Sequence, residues 1–144
     1  MSLQYEAEFP VRGGDFKEAG KVAVQIKSIL KKLGIDAEIL RRAAIAAYES
    51  EVNIISYARM GKICLQVHPE RIMMDVEDEG PGIEDLELAM RPGYSTASEL
   101  IRELGFGAGM GLVNIKHCAD EFELTSKVNQ GTRLRILIHV PACK

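Results

Sequence analysis

"GFGAGMGL", residues 105–112, places four glycines in eight positions, directly ahead of a stretch that reads as a helix from about Met110 to Ala119. Glycine at that density weakens any helix or strand. A glycine-rich loop that opens a helix offers free backbone N–H groups and the positive end of the helix dipole, which suits a phosphate. A flexible turn would have the same composition. The stretch is not a P-loop, because no G-x-x-x-x-G-K-[ST] is present. The letters G-x-G-x-x-G fit poorly, and no βαβ unit surrounds them. A phosphate site here would have to be of another kind.

Upstream, "LQYEAEF" alternates Leu3, Tyr5, Ala7 and Phe9 with polar residues, the pattern of a half-buried strand. Asp15 with Glu18 resembles a capping box. Ala19, Val22, Ala23, Ile26, Ile29, Leu30 and Leu33 follow helical spacing until Gly34. A second helix is expected from Asp36 to about Met60, with its strongest apolar stripe at Ile45, Tyr48, Val52 and Ile55. Two strands follow around "HPER": Ile63, Leu65 and Val67 share a face, as do Ile72, Met74, Val76 and Asp78. A short helix is expected near 84–90, then an irregular polar segment. Downstream of the glycines, "FELTSK" and "TRLRILIHV" flank "VNQG", a hairpin signal. Clean alternation implies a sheet covered on one face. The expected fold class is α/β: a two-layer sandwich, a mostly antiparallel mixed sheet with helices on one face, and a single domain over 1–144.

Three positions break the apolar pattern. Asp78 ends a strand in phase with Ile72, Met74 and Val76, and a carboxylate pointing inward is costly unless something pairs with it. It also reads as a turn residue capping the "GPGI" loop. Thr132 is in phase with Leu134, Ile136 and Ile138, and reads equally as a β-favourable residue after a hairpin glycine. In "YESEVNIIS", residues 48–56, Glu49 and Asn53 are four apart and so share one face, about 40° apart around the axis. Glu51 falls on the other shoulder of the stripe. A carboxylate beside an amide can bind Mg²⁺ and orient a nucleophile; a solvated helix shoulder would look alike.

Composition narrows the classes. With 144 residues the chain can bury a core without metals or disulfides. The net charge of −3 and the lack of a basic run argue against nucleic acid. No apolar run approaches about 18 residues, which argues against a membrane role. The start, "MSLQYEAEF", lacks the basic head and apolar core of a signal peptide. Cys64, Cys118 and Cys143 fit no metal or redox spacing, so free thiols and a cytoplasmic location are expected. His68, His117 and His139 are scattered and read as structural or surface residues.

Taken together, the motifs resemble the GHKL, or Bergerat-fold, ATPases. "ESEVN" looks like the family's asparagine box, "DEGPGI" like its D-x-G-x-G box, "GFGAGMGL" like its second glycine box, and Gly131–Thr132 like its final element. Within that superfamily the chain is most similar to the anti-sigma-factor serine/threonine kinases, nearest to the stress-signalling switch kinases, although the segment before the glycines is longer than theirs. The resemblance implies ATP and Mg²⁺ as cofactors. Asn53 would coordinate Mg²⁺ and Glu49 would accept the proton of the attacking Ser or Thr hydroxyl. Asp78 would accept from the adenine amino group, with Thr132 beside it. Gly80, Gly82 and Ile83 would pass close to the nucleotide. Gly107, Gly109, Met110, Gly111 and Leu112 would wrap the phosphates, with residues 91–106 as a lid. Lys116 is a further candidate for a phosphate contact.

The implied function is an ATP-dependent serine/threonine protein kinase and anti-sigma-type regulator that phosphorylates a STAS-domain partner. The alternative is a nucleotide-gated binding module that sequesters a sigma factor or other partner with little kinase activity. A homodimer is compatible with the resemblance; the outward residues Arg133, Arg135, Leu137 and His139 offer one contact surface, or an ordinary wet sheet face.

Overall fold

The structure is a computed structural model that describes residues 3–80, 90 and 111–141. Its elements are β1 (Tyr5–Arg12), α1 (Lys21–Lys32), α2 (Ala37–Tyr57), β2 (Met60–His68), β3 (Arg71–Glu79), α3 (Gly111–Cys118), β4 (Glu121–Lys127) and β5 (Gly131–His139). The strands form one sheet in the order β1-β2-β3-β5-β4, and all four pairings are antiparallel. Pro10 lies on β1, an edge strand, where its missing N–H is tolerated. The helices cover one face, as the alternation implied.

The register builds the core in rows. Tyr5, Val67, Ile72 and Ile138 form one row. Ala7, Leu65, Met74, Ile136 and Phe122 form the next, and Phe9, Ile63, Val76, Leu134 and Leu124 the third. The residues of β2, β3 and β5 in these rows are buried under Ile26, Leu30 and Ile54 of the helices. Each such side chain contributes roughly 1.5–3 kcal/mol by leaving water. A fourth row continues the same face and changes chemistry: Val11, Gly61, Asp78, then Thr132 and Ser126. The site begins in this row.

α1 ends in a turn that Gly34 permits at φ 78°, with the Ile35 N–H donating to the Leu30 carbonyl at 3.1 Å. Its start differs from expectation. Asp15 makes no side-chain cap; Phe16–Glu18 forms a single 3₁₀ turn, and α1 opens at Lys21 after Gly20, whose φ is 96°. The capping box is absent because a carboxylate from α2 takes its place, as described below.

α2 begins at Asp36, whose side chain accepts the Glu38 N–H at 3.2 Å. Its buried face is Ile39, Leu40, Ala43, Ala46, Ala47, Ser50, Glu51, Ile54 and Ile55. This corrects the expected stripe. Ile55 is buried, Ile45 and Val52 are only partly so, and Tyr48 is 40% exposed. The helix lies between α1 and α3, and the alanines allow that close approach where larger side chains would not fit. The helix expected near 84–90 and the lid at 91–106 lie outside the described residues, apart from Met90.

Candidate functional site

The backbone ladder between β3 and β5 stops at Glu77 and Arg133. The next rung is made by a side chain: the Thr132 N–H donates to Asp78 Oδ1 at 3.1 Å. Three glycines crowd this carboxylate. A Cβ on Gly131 would lie 2.0 Å from the Asp78 carbonyl oxygen. One on Gly61 would lie 2.6 Å from the Glu77 carbonyl oxygen, and one on Gly80 would lie 3.3 Å from Asp78 Oδ1. Side chains at Gly131 and Gly61 would run into the β3 backbone, so these glycines let the chain close up around Asp78. Burial pushes the Asp78 carboxyl above its usual range, partly offset by the Thr132 N–H. The Thr132 hydroxyl is 2.9 Å from that of Ser126, which also donates to the Gly131 carbonyl at 3.0 Å. A carboxylate held in this way can accept from an amino group of a flat ligand.

Ser126 was missed by the sequence reading, although it carried the same signal as Thr132: a polar residue in phase with Phe122 and Leu124.

The second half of the site lies along α2. Ala58, which ends that helix, lies against Gly80: a Cβ there would be 3.1 Å from the Ala58 Cα. From Ala58 back to Glu49 is nine residues, or about 13 Å of helix axis. Along that line α2 meets the first turn of α3. A Cβ on Gly111 would lie 3.0 Å from Asn53 Oδ1. One turn further, Asn114 Nδ2 donates to Glu49 Oε2 at 2.9 Å. Glu49 and Asn53 thus share a face, as expected, and it faces the helix that follows the glycine segment.

Among the described residues no cluster of three or more His, Cys, Asp or Glu could hold a metal. The Asn53 amide could serve a Mg²⁺ ion as one protein ligand, with phosphates and water supplying the other oxygens. That is the usual manner of Mg²⁺ at nucleotide sites. Leu112 is half-buried against the core. Lys116 is exposed and lies about 200° around α3 from Asn114, away from Glu49. Gly82, Ile83, Gly107, Gly109 and Met110 lie outside the described residues.

Glu51, between the two site residues, has another task. It is 2% exposed. Its carboxylate accepts the N–H groups of Val22, at 3.3 Å, and Ala23, at 3.2 Å. Burial pushes its carboxyl up, and the N–H groups opening α1 pull it back in part. It caps α1 from α2.

The described cysteines, Cys64 and Cys118, are free. No helix among the described residues is long and apolar enough to cross a membrane.

The five-stranded antiparallel sheet with its helices on one face is the fold of an ATPase domain of the histidine kinase type. The chain belongs to that family: the pattern of the histidine kinase-like ATPase domain matches residues 15–138. Among its relatives, the serine/threonine-protein kinase RsbT of Bacillus subtilis (strain 168) is 31% identical over 115 residues, 77% of this chain and 80% of that protein. The anti-sigma F factor of Anoxybacillus flavithermus is 30% identical over 108 residues, covering 75% and 67%. That of Caldanaerobacter subterraneus subsp. tengcongensis is 33% identical over 104 residues, covering 72% and 65%. The mycobacterial sensor histidine kinase MprB shares the fold, with a TM-score of 0.55 at 15% identity over 95% of this chain and all of that one.

Proposed function

We propose that the chain is an ATP-dependent serine/threonine protein kinase of the anti-sigma type, with Mg²⁺ as its metal and a STAS-domain regulator as the phosphoryl acceptor. The observation that carries this is the pairing of Glu49 and Asn53 against the first turn of α3. The names of the relatives, a serine/threonine kinase and anti-sigma factors, support it.

Asp78 would receive adenine, its carboxylate accepting from the amino group of the base. The N–H groups that open α3, beside Asn53 and Glu49, would help to hold the triphosphate. Asn53 would hold Mg²⁺, which would neutralise phosphate charge. Glu49 accepts the hydrogen of the incoming Ser or Thr hydroxyl. That oxygen bonds to the γ-phosphorus as the bond to the β–γ bridging oxygen breaks, ADP leaves, and the proton passes to Glu49. Phosphoryl transfer of this kind depends on positioning and charge neutralisation rather than on covalent catalysis.

Calorimetric titration with ATP and ADP, with and without Mg²⁺, tests the reading. Saturable binding that is lost in Asp78→Asn, and that loses its Mg²⁺ dependence in Asn53→Ala, supports it. A folded protein that binds neither nucleotide overturns it. The anti-sigma F factors favour a second reading, a nucleotide-gated module that sequesters a sigma factor. Glu49→Ala separates the two: a kinase loses transfer and keeps ATP, whereas a sequestering module loses nothing.

A further inference from the structure

We infer that Asn114 is a positioning residue for phosphoryl transfer: its side-chain amide aims the Glu49 carboxylate at the acceptor hydroxyl. This rests on the reading of Glu49 given above. α2 and α3 meet through matched polar contacts in antiparallel order. Gly111 meets Asn53, Asn114 meets Glu49, and the Cys118 carbonyl accepts from Arg42 Nε at 2.9 Å. Gly111 and Asn114 are three apart and Asn53 and Glu49 four apart, so each pair stands on one face of its helix.

A carboxylate only accepts hydrogen bonds, so the Nδ2 end of Asn114 must face Glu49. The bond fixes Oε2 at 2.9 Å. That leaves Oε1 to receive the hydroxyl. Without the bond the glutamate side chain regains its rotamers, and the fraction aimed at the acceptor falls.

α3 has anchors other than Asn114. Val113 and Ile115 are buried, and at the far end Arg42 binds both the Cys118 carbonyl and, at 3.1 Å, Asp120. A purely structural role would therefore appear as lost stability, and a positioning role as lost rate.

Phosphate release from Mg-ATP under single turnover, with water as the acceptor, needs no protein partner. Asn114→Ala should slow it about 10-fold or more, with the melting temperature and the ATP dissociation constant unchanged. In a Glu49→Ala background the same substitution should do nothing further. Equal effects of Asn114→Ala in both backgrounds would overturn the inference. So would a wild-type rate no faster than that of Glu49→Ala, zero included. The side-chain amide resonance of Asn114 gives a reading without nucleotide: it should move in Glu49→Ala, and a resonance that stays put also overturns the inference. A protein that binds no ATP sinks the kinase reading itself, a different result from one that binds ATP and ignores Asn114.

Discussion

The Glu51 carboxylate on α2 accepts the backbone N–H of Val22, 3.3 Å away, at the opening turn of α1. It does the same for Ala23. Gly20, at the N-cap of α1, supplies no side chain for this purpose. The two helices are thereby fastened through a buried carboxyl group that sits between Glu49 and Asn53 in sequence.

Glu51→Ala should destabilise the fold by roughly 2–4 kcal/mol, because it strands buried donors and removes a helix cap. Urea unfolding should show a lower midpoint at unchanged slope. A loss under about 0.5 kcal/mol, the range of ordinary surface substitutions, would mean that water or another acceptor replaces the carboxylate.

The same residue gives a pH dependence with a defined sign. Burial raises the Glu51 carboxyl in the folded state, so the folded protein binds its proton more readily than the unfolded chain does. Stability from that proton is fully present below the unfolded value, about 4.3, and is lost as pH rises through the folded value. Asp78 is shifted in the same direction, so the clean measurement is a difference. As pH falls toward the unfolded value, wild type should gain melting temperature relative to Glu51→Gln, which keeps an acceptor and cannot ionise. Glu38 and Asp120 are shifted downward by Arg41 and by the His139 N–H respectively. Their loss on acidification belongs to a lower window. Parallel melting curves for the two proteins would show that Glu51 does not titrate differently on folding.

How far the sequence disclosed the site depended on the range of the contact. Asp78 and Thr132 were legible because strand phase is strictly two, and a polar residue in phase with Met74 or Ile136 must face the core side. Ser126 obeyed the same rule and was overlooked. Glu49 and Asn53 followed from helical spacing. Glu51 left no local trace, since its partners lie 28 and 29 residues away. The stripe through Tyr48 misled because it weighed side-chain size, while a helix between two others selects Ala43, Ala46 and Ala47 for close approach. Asn114 became meaningful only once α3 was seen to run against α2.

Gly111 tests the proposed Mg²⁺ role of Asn53 without replacing that residue. An added Cβ would sit 3.0 Å from Asn53 Oδ1 and must push the amide by a few tenths of an ångström. No left-handed φ bars a side chain at Gly111, so Gly111→Ala should fold, with a melting temperature that reports how readily the Asn53 amide yields. Its Mg²⁺-dependent gain in ATP affinity should shrink about 3- to 10-fold. An unchanged Mg²⁺ dependence would place the metal elsewhere.

Asp78 should also set the choice of base. Adenine presents an amino donor where guanine presents a carbonyl acceptor. A carboxylate, being only an acceptor, pairs with the first and repels the second. The Thr132 N–H already occupies Asp78 Oδ1, which leaves the other oxygen to meet a base. Wild type should therefore prefer ATP to GTP by at least about 10-fold. In Asp78→Asn the oxygen can stay on the Thr132 N–H while the new amide NH₂ faces the ligand as a donor. ATP affinity should fall and GTP affinity should hold or rise, narrowing the ratio or reversing it. Competition of each triphosphate against a fluorescent ATP analogue measures both constants in one plate. Equal losses of ATP and GTP would show that Asp78 supports the strand end and does not read the base, because only a group facing the ring can tell an amino group from a carbonyl.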